Sequence, residues 1–138
     1  MRFRVLGKAV GKQRPRFNSR SKQTYTPSKT KDFEKLIANT CTIHMLKNRI
    51  ETSNKPCKVV IDVMASIPKS YTKKRHRECI EGIEMPTKKP DIDNIAKAVM
   101  DGLNKVAYED DTQVVTLTIN KRYWEYNDAL YIEVSEVI

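Results

Sequence analysis

Between Pro90 and Asn104 the chain interleaves two residue patterns, both with helical spacing. Ile95, Val99 and Leu103 recur every fourth position and lay an apolar stripe along one face of a helix. Asp93, Lys97 and Asp101 recur at the same interval on a second face. A helix with one apolar face needs a surface to cover it, and the flanking segments offer strands for that purpose. Lys58–Ser66 (KVVIDVMAS) and Gln113–Trp124 are rich in β-branched residues and predict strands. Arg2–Val5 alternates charged and apolar residues and predicts a short strand, and Ala129–Val137 predicts a last one. Residues 125–128 read as the hairpin turn joining it to the strand before.

Thr30 to Arg49 places Phe33, Leu36, Ile37, Cys41, Met45 and Leu46 at helical spacing, with Ser28 or Thr30 as the cap. Tyr71 to Ile80 predicts a short basic helix. Gly11 to Pro27 mixes Gly, Pro, Ser, Asn and basic residues without periodicity and predicts a long loop, of the kind that often carries function. The order β, α, β, α, α, β, β predicts an α+β fold, a mixed sheet packed with helices. At 138 residues, one domain spanning 1–138 is the simplest organisation.

No apolar run approaches the roughly 20 residues that span a bilayer, and the N-terminus has charges but no apolar core of a secretory signal. The three cysteines, Cys41, Cys57 and Cys79, form an odd, widely spaced set without a CxxC, which points to a reducing, cytoplasmic setting. The net charge is +9. Residues 1–31 hold ten Lys/Arg and no acid, and further clusters fall at Lys69–Arg77 and Lys88-Lys89. Such clusters attract polyanions by counterion release, and nucleic acid is the partner they favour.

Within this basic protein five aspartates crowd into residues 91–111: Asp91, Asp93, Asp101, Asp110 and Asp111. Asp91 and Asp93 flank Ile92 at a helix entrance, where alternate side chains of an extended stretch point the same way and both carboxylates can meet one hard divalent cation. Helix capping explains the same two residues. Asp93, Lys97 and Asp101 read either as a solvated ladder of salt bridges or as a lysine reaching into a carboxylate cluster. Asp110-Asp111 reads as a turn or as further ligands. His44 and His76 lie far apart in sequence, against a histidine-based zinc site.

The sequence K-P-D-I-D-N-I-x-K-x-x-x-D-G-L-N, followed by V-A-Y-x-D-D-x-Q-V, resembles the signature of the RusA-type Holliday junction resolvases. Gly-Lys-Gln-Arg-Pro-Arg-Phe at residues 11–17 and Tyr25-Thr26-Pro27 with Lys29-Thr30 add to the likeness. It covers most of the chain, residues 88–115 most specifically. The resemblance implies a homodimeric, Mg²⁺-dependent endodeoxyribonuclease, with Mn²⁺ as a substitute and no organic cofactor, that cuts four-way junction DNA in paired phosphodiester hydrolyses during recombination and repair. It implies Asp91, Asp93 and Asp111 as metal ligands, Lys97 as the catalytic lysine and Asp101 as support. It places DNA contacts on Lys12, Gln13, Arg14 and Arg16 and on Lys88 and Lys89. Two other readings stand beside it: a non-catalytic DNA-binding protein, and a nuclease acting more broadly on flaps or forks.

Overall fold

The computed structural model describes residues 1–13, 16–25 and 27–138. Four strands make the main sheet: β1 (Arg2–Leu6), β4 (Cys57–Ser66), β5 (Val114–Trp124) and β6 (Ala129–Glu136). Three helices accompany it: α1 (Ser28–Asn48), α2 (Lys73–Ile80) and α3 (Ile92–Leu103). The fold class is therefore α+β with a mixed sheet, as the order of elements predicts.

The strand order is β1-β6-β4-β5, with β6 antiparallel to both β1 and β4 and with β5 parallel to β4. Ile61 of β4 thus faces Ile132 on one side and Ile119 on the other. This corrects the expected hairpin at residues 125–128, because β4 lies between β5 and β6. The connecting turn crosses the end of β4 and is fastened there. Ser66 donates its amide to Asp128 Oδ1 (2.9 Å) and its hydroxyl to the Tyr126 carbonyl (2.8 Å). β5 closes one side of the sheet, and its outer edge is unpaired among the described residues.

One face of the sheet supplies Phe3, Val5, Val59, Ile61, Leu130 and Ile132 to a core shared with the two long helices. From α3 come Ile95, Val99 and Leu103, each fully buried, as the stripe predicts. From α1 come Phe33, Ile37, Cys41 and Met45, every fourth residue. Leu36 and Leu46, which share the helical spacing in the sequence, are 42% and 75% exposed because they fall beside that row. The α1–α3 crossing is close at Gly102. A Cβ there would come within 2.9 Å of Ile37 Cβ and 3.0 Å of the Glu34 carbonyl, so only glycine fits without displacement. All three cysteines are unpaired and buried.

The expected loop after Gly11 contains a small hairpin, β2 (Arg16–Asn18) and β3 (Gln23–Tyr25). Three-residue strands are too short to show alternation. Their turn is local chemistry: Asn18 Oδ1 accepts the amides of Arg20 and Ser21, and Lys22 takes the left-handed conformation at φ 54°. Ser28 and Thr30 do not cap α1; the N-cap position is Pro27, with no side-chain bond. The Thr30 hydroxyl is buried in the first turn, donating to the Gly11 carbonyl and accepting from the Gln13 amide, both at 3.4 Å.

Candidate active site

The head of α3 is held from two sides. On one side the chain at Gly11–Gln13 lies against it, with the Lys12 amide donating to the Asn94 carbonyl at 2.8 Å. Gly11 permits this approach, since a Cβ would sit 3.0 Å from Pro90 Cβ and 3.1 Å from Asn94 Cβ. On the other side Lys121 of β5 extends its ammonium to the carbonyls of Lys88 (2.6 Å) and Pro90 (3.0 Å). Between these supports a groove of about 470 Å³ opens over Asp91 and Asn94, with Lys8, Lys12, Lys29 and Lys89 on its walls. Four lysines around a carboxylate make a site suited to a phosphate backbone next to a group that can carry a cation or take a proton.

Asp91 occupies the N-cap position of α3 with extended backbone (φ −70°, ψ 151°), yet its side chain makes no capping hydrogen bond. Capping therefore does not account for this carboxylate, which is exposed at the groove. Asp93 lies in the first turn of α3, also exposed. Lys97 sits one turn on, on the side of α3 away from the buried stripe. Among the described residues it forms no ion pair with Asp93 or Asp101, so the salt-bridge ladder is not present.

Asp101 instead pairs with Lys12 at 3.0 Å, and Lys12 also meets Glu34 of α1 at 2.6 Å. Partial burial alone would lower the Lys12 pKa, but its hydrogen bonds to Glu34 and Asp101 outweigh that and raise it above the usual lysine range. Lys12 thus joins the N-terminal segment, α1 and α3 while standing on the groove wall.

Asp110 is the cap of a short 3₁₀ turn (Asp111–Gln113), with Gln113 reciprocating to its amide and the Thr112 hydroxyl donating to Oδ2 at 2.7 Å. The hydrogen bond from Thr112 is the main reason its pKa is lowered. Asp111 follows as the first residue of that turn. It lies near Tyr108, a fully buried residue whose phenol donates to the Met100 carbonyl at 3.0 Å. Burial, then the charges of Asp111 and Asp101, push the Tyr108 pKa far above that of an ordinary tyrosine. Asp111 and Asp101 therefore neighbour the C-terminal half of α3, while Asp91 and Asp93 stand at its head. Residues 91 and 100 are separated by roughly 13 Å of helical rise. Among the described residues, no three His, Cys, Asp or Glu side chains come together as a metal cluster. The expected set of three aspartates is not assembled within one chain.

Of the residues expected to touch DNA, Lys12 and Lys89 line the groove, as does Gln13. Lys88 stands apart from that groove, 5.9 Å from the centre of the Tyr71 ring, which Arg75 also covers at 3.5 Å. Arg14 lies outside the described residues, and so does the side chain of Arg16. Lys8, Lys29, Asn94 and Lys121 are not among the expected site residues, although Lys29 and Asn94 fall within the motifs that carry the resemblance. Lys8 and Lys29 belong to the acid-free N-terminal block, but nothing in their spacing marks them as neighbours of Asp91. Lys121 is one polar residue in an alternating strand.

The model of the endodeoxyribonuclease RusA family matches residues 7–135 of this sequence. The chain belongs to the RusA endodeoxyribonuclease family. A protein of Bacillus subtilis (strain 168) described as uncharacterized protein YqaN is 35% identical over 129 residues, covering 91% of this chain and 89% of that protein. As a RusA-family member the chain has an endodeoxyribonuclease fold over nearly its whole length, and the groove at the head of α3 is the part of that fold where carboxylate and lysines converge. No helix is long and apolar enough to cross a membrane among the described residues.

Proposed function

We propose that this protein is a Mg²⁺-dependent endonuclease that resolves four-way DNA junctions by paired cuts, working as a homodimer. The observation that carries the reading is the Asp91 carboxylate, placed at a helix head without a capping bond and surrounded by lysines. Family membership supplies the endodeoxyribonuclease activity, and the substrate and ion extend it.

Lys8, Lys29 and Lys89 would seat the DNA backbone, fixing its position without reading its sequence. Lys97, in no ion pair among the described residues, would approach the scissile phosphate and stabilise the charge that develops on it. Asp91 and Asp93, both at the head of α3, would be the oxygen ligands that one chain offers a hard divalent ion there, and a magnesium site needs few from the protein. A bound Mg²⁺ or Mn²⁺ supplies a water of lowered pKa and a countercharge for the phosphate. Asp111 would join the other two aspartates only from a second copy. Two cuts on opposing strands require two sites, which a two-fold pair provides.

A panel of labelled four-way junction, fork, flap, linear duplex and single-stranded DNA, each with and without Mg²⁺, tests the proposal. Preferential, paired cutting of the junction is expected. Equal cutting of forks and flaps would replace the resolvase reading with a broader nuclease, and binding without any cutting would leave a DNA-binding protein.

A further inference from the structure

From the way β5 reaches the head of α3, we infer that Lys121 is a positioning residue for Asp91. The inference rests on the proposed reading of Asp91 as a group that acts on DNA. Lys121 lies opposite Val63 in the β4–β5 register, in the row of Ile119 and Tyr123 that faces the helices. A strand position on that side is ordinarily apolar, and a half-buried ammonium there needs acceptors for its donors. It finds two, the carbonyls of Lys88 and Pro90. Both belong to the three residues that run directly into Asp91. No other hydrogen bond to these two carbonyls is present among the described residues.

Fixing these carbonyls fixes the peptide planes on which Asp91 is mounted. The direction of its carboxylate into the groove is then set by a rigid strand rather than by a free loop. Lys121 would never touch the substrate. Its influence would pass through the backbone to Asp91 and to the first helical hydrogen bond of α3, from the Ile95 amide to the Asp91 carbonyl (3.0 Å).

Lys121→Met tests this in the full-length protein, with Lys58→Met as a control for loss of a lysine from an exposed position of the same sheet. Turnover of the junction at saturation should fall about ten- to a hundredfold, as small displacements of a reacting group do. Junction binding with Ca²⁺ in place of Mg²⁺ should stay within about twofold, since phosphate contacts at the groove remain. Amide exchange should quicken at Ile95 and Lys12 and not at Ile61 in the centre of the sheet. Lys121→Arg, which keeps both charge and donors, should restore most of the turnover. Lys121→Gln, neutral and polar, is measured in the same way if the Met variant fails to fold.

Unchanged exchange at Ile95 overturns the inference, as does faster exchange spread evenly through the sheet, which would make Lys121 a general prop. A loss of binding that matches the loss of turnover would make it a DNA contact instead. The exchange measurement needs no catalysis. If the wild type cuts none of the DNAs, the proposed function fails while the positioning of Asp91 is still decided.

Discussion

The two ends of α3 carry similar residues and use them differently. At the head, Asp91 and Asp93 are exposed carboxylates whose side chains form no hydrogen bond among the described residues, and Asp91 faces a lysine-lined groove. At the tail, Asp101 is paired with Lys12, Asp110 closes a capping box, and Tyr108 is buried with its phenol bonded to Met100. A carboxylate that has satisfied its oxygens contributes to the fold, whereas one left unsatisfied beside cations is available to a ligand. The difference separates aspartates that the sequence presents as one cluster.

The sharpest way to break this contrast is Asp91→Asn. It should reduce junction cutting by at least about a hundredfold, on the scale seen when a charge-stabilising group is removed, while the protein melts normally and still binds the junction. Normal cutting would show that the head of the helix is not the active end. Next, Asp91→Asn and Asp111→Asn chains, each inactive alone, should regain single-strand nicking when unfolded and refolded together. A mixed dimer then holds one site with both aspartates intact, and failure to nick would place the two residues in the same chain's site or remove Asp111 from the chemistry.

Apart from Asp111, effects at the tail should be on stability. Tyr108→Phe removes one buried hydrogen bond and should cost about 1 kcal/mol, or roughly 3–5 °C in Tm, with turnover preserved. The same variant reads the pH dependence. Because the folded-state pKa of Tyr108 is raised above the usual tyrosine value of 10.0, the folded state binds the phenolic proton more tightly than the unfolded chain does. Its contribution is fully present below pH 10 and is lost as pH rises above it. The wild type should therefore lose stability above pH 10 more steeply than Tyr108→Phe, as thermal melts across that range will show. The smallest effect is expected for Asp101→Asn. Lys12 keeps Glu34, and a partly exposed pair is worth about 1 kcal/mol or less. A large loss of turnover in this variant would move Asp101 from support into the active groove.

The helical stripe of α3 and the α1 row from Phe33 to Met45 were legible because burial on one face imposes a period on the sequence, and the strands expected at residues 58–66 and 113–124 because both stretches are rich in β-branched residues. The family was legible from a spaced signature that periodicity does not produce. What could not be read depends on contacts between distant residues. The insertion of β4 between β5 and β6 rests on its pairing with both strands, and Ser66 ties down the crossing turn through Asp128 and Tyr126. The engagement of Lys12 by Glu34 and Asp101 spans three elements. Lys121 looks like any polar residue of a strand until its ammonium is traced to residues more than thirty positions earlier. Asp93, Lys97 and Asp101 were placed correctly on one helical side, but spacing could not say that Asp101 would be claimed by a residue from the N-terminus.

The open border of the sheet has a consequence away from DNA. Residues 114–119 of β5 read Val-Val-Thr-Leu-Thr-Ile, without a charge, and Val115 is 62% exposed. During synthesis β4 has already emerged when this stretch leaves the ribosome, so one side of it is quickly occupied. When whole chains refold together from denaturant, that order is lost, and the same stretch can be captured by a neighbour's unpaired strand first. Recovery of native protein should therefore depend on dilution, set by how crowded the chains are as this border forms.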